Sequence, residues 1–540
     1  MLRKFLCLAT LLLLCFSAGA GTIKGKVSCF GKPVAGVRVS DGRAIVLTDS
    51  RGRYSIKSEK ADSIVFITTP SGYVAKPVDA IRPGFWRPLV KPASAAETVD
   101  FELVPENQDN YTILFITDTH FANDPGRSDL KRFSEEVFPA IYDKVKSIRK
   151  TDAVYSVNLG DFSHDRYWYD FGMNEYAAQQ YLLSIGYPTL IYSVSGNHDN
   201  DGAIAGKDES NDFPSAWCYR KTWGPDRYSV EIGGDHWIFM DNIVYINNGD
   251  PDKKHKNING SRNYRRYFTD SQLEWLKADL ATVDPSTKVY FCCHCPIFND
   301  FSKSEHIEFE QLDILDSIFS AFPEVTVFSG HAHKLINTGN EGYQRFRQYV
   351  LPATSGSMWN APEGLRNISG CGADQGFTVF TPATGSVKYC PIDGSDRTMR
   401  IYDGNGVRKY FVSDVKAAML RKNSPKHTDW SSERFENTVI VNIWGAMPGD
   451  RIEILEAGKP LEVKKVKMAD PLYDLIYVLP NVKESTAPGK YDKDHKSPHL
   501  YMAKAESADA EIVVRVVTPE GKLRCKSGCT RPKTFDKDAN

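Results

Sequence analysis

Seven side chains able to bind a metal fall in five short blocks, in one order, across the middle of this 540-residue chain. The blocks are Asp118-Thr119-His120, Gly160-Asp161, Gly196-Asn197-His198-Asp199, His294 within Cys292-Cys293-His294-Cys295-Pro296, and Gly330-His331-Ala332-His333. Carboxylate, amide and imidazole donors form a hard-to-borderline set, suited to Mn, Fe or Zn and unlike a thiolate zinc site. Singly, each block is a common turn or cap; the ordered set is not. Every block follows an apolar run, so all five should gather at the carboxyl edge of the sheets, where open α/β folds keep their sites. In an extended segment alternate side chains share a face, which would aim Asp118 and His120 at one point and repeat that geometry with His331 and His333.

The elements that must position these blocks read as an α/β domain from 106 to 366. Apolar strands are expected at 111–117, 153–159, 189–194, 237–240, 288–293 and 325–328, with helical patterns between them. The clearest helix is 272–282, announced by Thr269 with Gln272 three residues later, a capping box, and carrying Leu273, Leu276 and Leu280 on one face. Helices are also expected at about 129–148 and 309–322. Residues 21–105 read as short strands broken by Gly, Asp, Ser and Pro, a small β-sandwich with strands at 22–28, 37–39, 53–56 and 63–68. After 366 the pattern returns to β, with strands at 377–380, 387–389, 438–444, 451–455 and 511–517, giving a β-rich domain over 367–540. Cys292, Cys293 and Cys295 cannot all converge from one strand and read as buried apolar side chains. His164, His236 and His306 lack partners in the blocks and read as structural or exposed.

Met1-Leu2-Arg3-Lys4, an apolar run through Leu14 and Ser17-Ala18-Gly19-Ala20 have the three regions of a secretory signal peptide, 1–20, with cleavage expected after Ala20. Leu14 stands where lipid attachment at Cys15 would need a small residue. No later stretch approaches the ~20 apolar residues of a spanning helix. The formal charge of -1 becomes -3 without Arg3 and Lys4, so no global basic field would attract a nucleic-acid polymer. Nine cysteines remain after the leader, without a framework spacing; export permits a bridge, and Cys525 with Cys529 is the expected pair.

The five blocks match the D-x-H, G-D, G-N-H-(D/E), H and G-H-x-H pattern, and the middle domain resembles a calcineurin-like metallophosphoesterase. Gly36 to Gly42 and Thr48 to Tyr54 resemble the N-terminal sandwich modules of exported bacterial proteins, and Val439 to Trp444 with Asp470-Pro471 resembles the C-terminal module that accompanies this family. The resemblance implies two facing mixed sheets flanked by helices. It implies one metal held by Asp118, His120, Asp161 and His333, and a second by Asp161, Asn197, His294 and His331, with a bridging hydroxide attacking phosphorus in line. His198 is not a ligand in that pattern and is free to protonate the leaving oxygen, oriented by Asp165 or Asp199. Asn197, His198, Arg166 and Asn242 are expected at the substrate, with Trp359-Asn360 on its rim. His164 replaces the Tyr of purple acid phosphatases, and Asp165-Arg166 lies one residue late for protein phosphatases. The reading is an exported phosphoester hydrolase, favoured as a phosphodiesterase for a small-molecule or headgroup substrate. Its accessory domains would contact envelope glycan or lipid. The alternatives are a monoesterase or 5′-nucleotidase, or a non-catalytic envelope-binding protein, which would predict a missing ligand where none is missing.

Overall fold

The computed structural model describes residues 20–206, 208–255, 258–299, 301, 306–338, 342–492, 495–528 and 531–536. The expected leader before Ala20 and Cys529 of the expected disulfide lie outside them. Among the described residues no helix is long and apolar enough to cross a membrane.

Two mixed sheets face each other in the middle of the chain. One has five strands, in the order Ile191–Ser193, Ala153–Asn158, Tyr111–Ile116, Gly376–Thr381, Ser386–Pro391. The other has six, in the order Arg227–Ile232, Asp235–Met240, Val289–Cys292, Val325–Ser329, Phe346–Val350, Ile336–Thr338. The period-2 pattern of Tyr111–Ile116 explains the layering. Ile113 and Phe115 point between the sheets, where Phe115 meets Phe328 at 4.3 Å between ring centroids. Leu114 and Ile116 point the other way, onto Phe133, Val137, Ile141 and Val145 of the 129–148 helix. Those four buried residues recur every four positions, and the helix is continuous through a π-helical segment, Phe133–Val137. The Asp270–Leu280 helix starts from the expected capping box, with Thr269 N–H donating to Gln272 Oε1 at 2.8 Å.

The 366/367 boundary needs correction. Strands Gly376–Thr381 and Ser386–Pro391 complete the first sheet, because the open edge of Tyr111–Ile116 pairs antiparallel with Thr378, Val379 and Phe380. Strand alternation identifies such a segment as a strand and leaves its partner open. Beyond it two four-stranded sheets share a core of Ile401, Val439, Val441, Ile454, Val514 and Val516, a sandwich. Helices Gly404–Ser413 and Val415–Asn423, absent from the β reading of this region, cover its outer face through Val407, Phe411 and Leu420.

The N-terminal strands form two sheets that dock on the six-stranded sheet and the Asp270–Leu280 helix, with Phe85 against Tyr228 of the sheet and Phe66 against Trp275 of the helix. His236 anchors this junction. It is fully buried, with Nδ1 2.9 Å from Glu231 and Nε2 2.9 Å from Asp279, and Glu231 also takes Arg38 of the N-terminal domain at 2.6 Å. Burial disfavours the imidazolium, but Asp279 and Glu231 outweigh it and push its pKa up to about 9. A raised folded-state value gives stability that is complete below about pH 6.5 and lost as pH climbs through 9. Denaturant unfolding at pH 7 and pH 10 should therefore show a loss of about 3 kcal/mol in wild type that His236→Gln does not show.

Candidate metal centre

All five blocks lie just past the carboxyl ends of their strands. Convergence is as expected, but extended alternation does not produce it. Asp118, His120, Asp161, His331 and His333 have φ of 51°, 48°, 55°, 66° and 52°, the left-handed region. Such a conformation costs of order 1–3 kcal/mol per non-glycine residue, and here the surrounding loops impose it. Asp118 N–H donates to Gly160 O at 2.9 Å and His120 N–H to Asp161 O at 3.0 Å, lacing the first two blocks together. Gly196 and Gly330 permit the close approach of the others. A Cβ on Gly196 would strike Asp161, and one on Gly330 would strike Thr117 and Asp118.

Donor atoms of Asp118, His120, Asp161 and His333 all lie within 4.8 Å of one another. His333 Nε2 is 3.1 Å from Asp118 Oδ1 and 2.9 Å from His120 Nε2. On the other side of Asp161, its Oδ2 is 3.4 Å from His294 Nε2, which is 3.1 Å from Asn197 Oδ1 and 3.2 Å from His331 Nδ1. Asp161 Oδ2 thus faces both groups, 3.8 Å from His120 Nε2 as well. The donors fit a pair of cations on two counts. Asp118 Oδ1 is buried without a hydrogen-bond partner and is aimed into the first group. His294 Nδ1 lies 2.7 Å from Leu159 O, which fixes a proton there and, in the neutral ring, turns the bare Nε2 lone pair to the second group. Electrostatics agree. Burial opposes a charged His294, yet Asp161 and Asp118 hold its pKa at about 10, a negative potential that cations would satisfy. Burial and the His294 charge press His331 down to about 3.

His198 lies beside this pair with its side chain 23% exposed. Its Nδ1 is 2.8 Å from Asp165 Oδ1, and the other Asp165 oxygen takes the Arg262 guanidinium. Asp165 is therefore the orienting carboxylate. Burial would raise its pKa, but His164, His198 and Arg262 pull it below the ordinary carboxylate range. The Asp165 charge and that of Asp161 in turn hold the His198 proton above the usual histidine range against the effect of burial. Nε2 is left as the donor facing outward. Asp199 does not touch the ring. It is fully buried, accepting from the backbone N–H groups of Asp161 (2.7 Å), Gly196 (2.8 Å) and Ser163 (3.2 Å), and so ties two ligand loops together.

Two other expectations are corrected. Asn242 is fully buried and spends both ends of its amide on the backbone of Cys295, at 2.7 and 2.9 Å, so it braces the His294 loop and is closed to substrate. Trp359 is buried, with Nε1 donating to Thr119 O at 2.8 Å, and braces the first block, while Asn360 is exposed. His164 is buried with its ring 4.1 Å from that of His198 and 5.4 Å from that of His120, so it forms part of the site wall. Arg166 is exposed on the short helix carrying Asp165. Cys292, Cys293 and Cys295 are fully buried and are not in disulfides.

Two residues were not singled out from the sequence: Arg262 and Tyr264, on the strand Arg262–Arg266. Tyr264 OH is 3.5 Å from His331 Nε2, and the two rings meet edge to face at 5.8 Å. The alternation of that strand, half-buried at 262, 264 and 266 and exposed at 263 and 265, was the available signal.

Three family models match in series: the N terminal of calcineurin-like phosphoesterase over residues 21–106, calcineurin-like phosphoesterase over 111–335, and the C terminal of calcineurin-like phosphoesterase over 348–523. The chain belongs to the calcineurin-like phosphoesterase family. As a calcineurin-like phosphoesterase it is a metal-dependent phosphoester hydrolase of dimetal type. A search of curated proteins gives no match. Solved structures similar to this calcineurin-like phosphoesterase include a dimetal phosphatase from Danio rerio, 13% identical, covering 50% of this chain and 92% of that one with a TM-score of 0.31. A purple acid phosphatase from yellow lupin seeds is 13% identical over 67% of this chain and 68% of that one, TM-score 0.33. A putative 5′-nucleotidase from Staphylococcus aureus is 12% identical over 52% of each chain, TM-score 0.30, so this chain spans about half its length. At such distances these likenesses do not select among activities.

Proposed function

We propose that this calcineurin-like phosphoesterase is an exported phosphodiesterase acting on small-molecule or headgroup phosphodiesters. The observation that carries the reading is the His198–Asp165–Arg262 relay, with the outward Nε2 of His198 beside the two donor groups. Asp118, His120, Asp161 and His333 would hold one cation, and Asp161, Asn197, His294 and His331 the other. Bound cations supply a water of near-neutral pKa and charge for the phosphoryl oxygens. The chain's own part is positional and protonic. Leu159 O fixes the His294 tautomer, Asp199 locks the Asp161 and Gly196 loops, and Asp165 sets the plane of His198. His198 Nε2 then delivers its proton to the leaving ester oxygen. Expelling an alkoxide, a poor leaving group, calls for a proton donor, and this relay serves that step. Export is supported by the leader and by a first strand that begins at Gly21, directly after the expected cleavage point.

With Mn, Fe or Zn restored, kcat/KM for bis(4-nitrophenyl) phosphate should exceed that for 4-nitrophenyl phosphate by about tenfold or more, ~1.4 kcal/mol in the transition state. Faster hydrolysis of the monoester would reverse the assignment. The mature protein recovered from the producing cell should begin at Gly21, and an intact Met1 would contradict export by cleavage.

A further inference from the structure

One strand touches both sides of the centre. Arg262, Tyr264 and Arg266 alternate along Arg262–Arg266 and share the half-buried face. Arg262 serves Asp165; Tyr264 lies beside His331, and Arg266 lies next to Tyr264. His331 presents Nδ1 to His294, and its Nε2 lies 3.5 Å from the Tyr264 oxygen. The phenol oxygen accepts from the Arg266 side chain, which leaves its own hydrogen to give. The Arg266 guanidinium lies 5.6 Å from the Tyr264 ring centroid, with its Nε donating to His306 O at 3.1 Å. Glu308, the acid near it, is held by both ends of Arg265 at 2.8 and 2.8 Å, and Arg265 also takes Glu209. Among the described residues no carboxylate pairs with Arg266. The result is an excess of donors: a phenol hydrogen and the terminal N–H groups of the guanidinium that the phenol oxygen does not take up.

We propose that Tyr264 and Arg266 form an anion subsite for a second charged group of the substrate, a carboxylate or phosphate on the alcohol portion of the ester. The proposal rests on the phosphodiesterase reading and names its substrate class. The scissile phosphodiester carries one negative charge, which two cations and His198 already answer. The additional guanidinium suits an additional anion. Period-2 geometry places this subsite two and four residues along from the arm that sets the proton donor, so one strand couples leaving-group protonation to recognition of the charged substituent.

The test compares 4-nitrophenyl 2-carboxyethyl phosphate with its carboxyl methyl ester, which share a leaving group and differ by one charge. Metal-loaded wild type should prefer the carboxylate about tenfold in kcat/KM, Arg266→Gln should bring that ratio near one, and Arg266→Lys should restore part of it. Tyr264→Phe should lower the ratio with bound metal per chain unchanged. A wild-type ratio near one, or a ratio that Arg266→Gln leaves unchanged, overturns the subsite while bis(4-nitrophenyl) phosphate hydrolysis still upholds the phosphodiesterase reading. Failure of wild type to hydrolyse any diester overturns both.

Discussion

Asp161→Ala should abolish binding of the metal pair and lower kcat for diester hydrolysis by about 10³-fold or more, some 4 kcal/mol of transition-state stabilisation. Among the described residues Asp161 is the side chain whose oxygen faces both donor groups, at 3.4 Å from His294 Nε2 and 3.8 Å from His120 Nε2. Its other oxygen accepts from His198 N–H at 2.8 Å, so the same residue also seats the proton donor's backbone. Loss of the side chain removes a shared ligand and a loop anchor together. Asp161→Asn keeps the shape and one neutral oxygen, and should retain more metal than Asp161→Ala while staying well below wild type in rate. Neither change should unfold the protein, because removing this carboxylate relieves its repulsion with buried Asp118. Metal content per chain by mass spectrometry, with melting temperature as control, reads both expectations. An Asp161→Ala protein with two metals and wild-type turnover would refute the shared-ligand role.

His198→Ala should separate chemistry from metal binding. The ring is held by Asp165 at 2.8 Å and contributes no atom to the second donor group, so metal content should stay near wild type. Turnover should fall by about 10²- to 10⁴-fold, the usual contribution of a positioned general acid. The loss should be smallest for a 4-nitrophenolate leaving group, which departs without help, and largest for an alkyl alcohol. Arg262→Met should show a weaker version of the same dependence, on the order of 10-fold, because it acts through Asp165. A uniform loss across leaving groups would make His198 a phosphoryl-binding residue, and loss of metal would make it a ligand.

The ligand set was legible because each donor follows a strand strong enough to read alone, such as Tyr111–Ile116 or Val325–Ser329. Bringing the five strand ends together, three from the five-stranded sheet and two from the six-stranded sheet, then follows from the fold. The local geometry was not legible: Asp118 and His120 converge through left-handed turns braced by Gly160 O and Asp161 O, and contacts between distant segments fix those angles. The same reason hid Arg262, which is 97 positions from the Asp165 it serves. Asn242 and Trp359 were misread because a polar or aromatic residue beside a site looks alike in sequence whether it meets substrate or braces a loop. Only burial and the Cys295 and Thr119 backbone partners tell the two apart. In the helices at 404–423 polar residues and glycine outnumber apolar ones, eleven to nine. Val407, Phe411 and Leu420 pack them on the C-terminal sheet, and Asp403 and Asp414 cap their starts.

The central claim is that a pair of metals on opposite sides of Asp161 performs the hydrolysis. Titration of chelator-treated protein with Mn, following bis(4-nitrophenyl) phosphate hydrolysis against metal bound per chain, tests it most directly. Activity should be absent without metal, remain low at one equivalent and reach its plateau at two. Full activity in the chelated protein, or a plateau at one bound metal, would contradict the account.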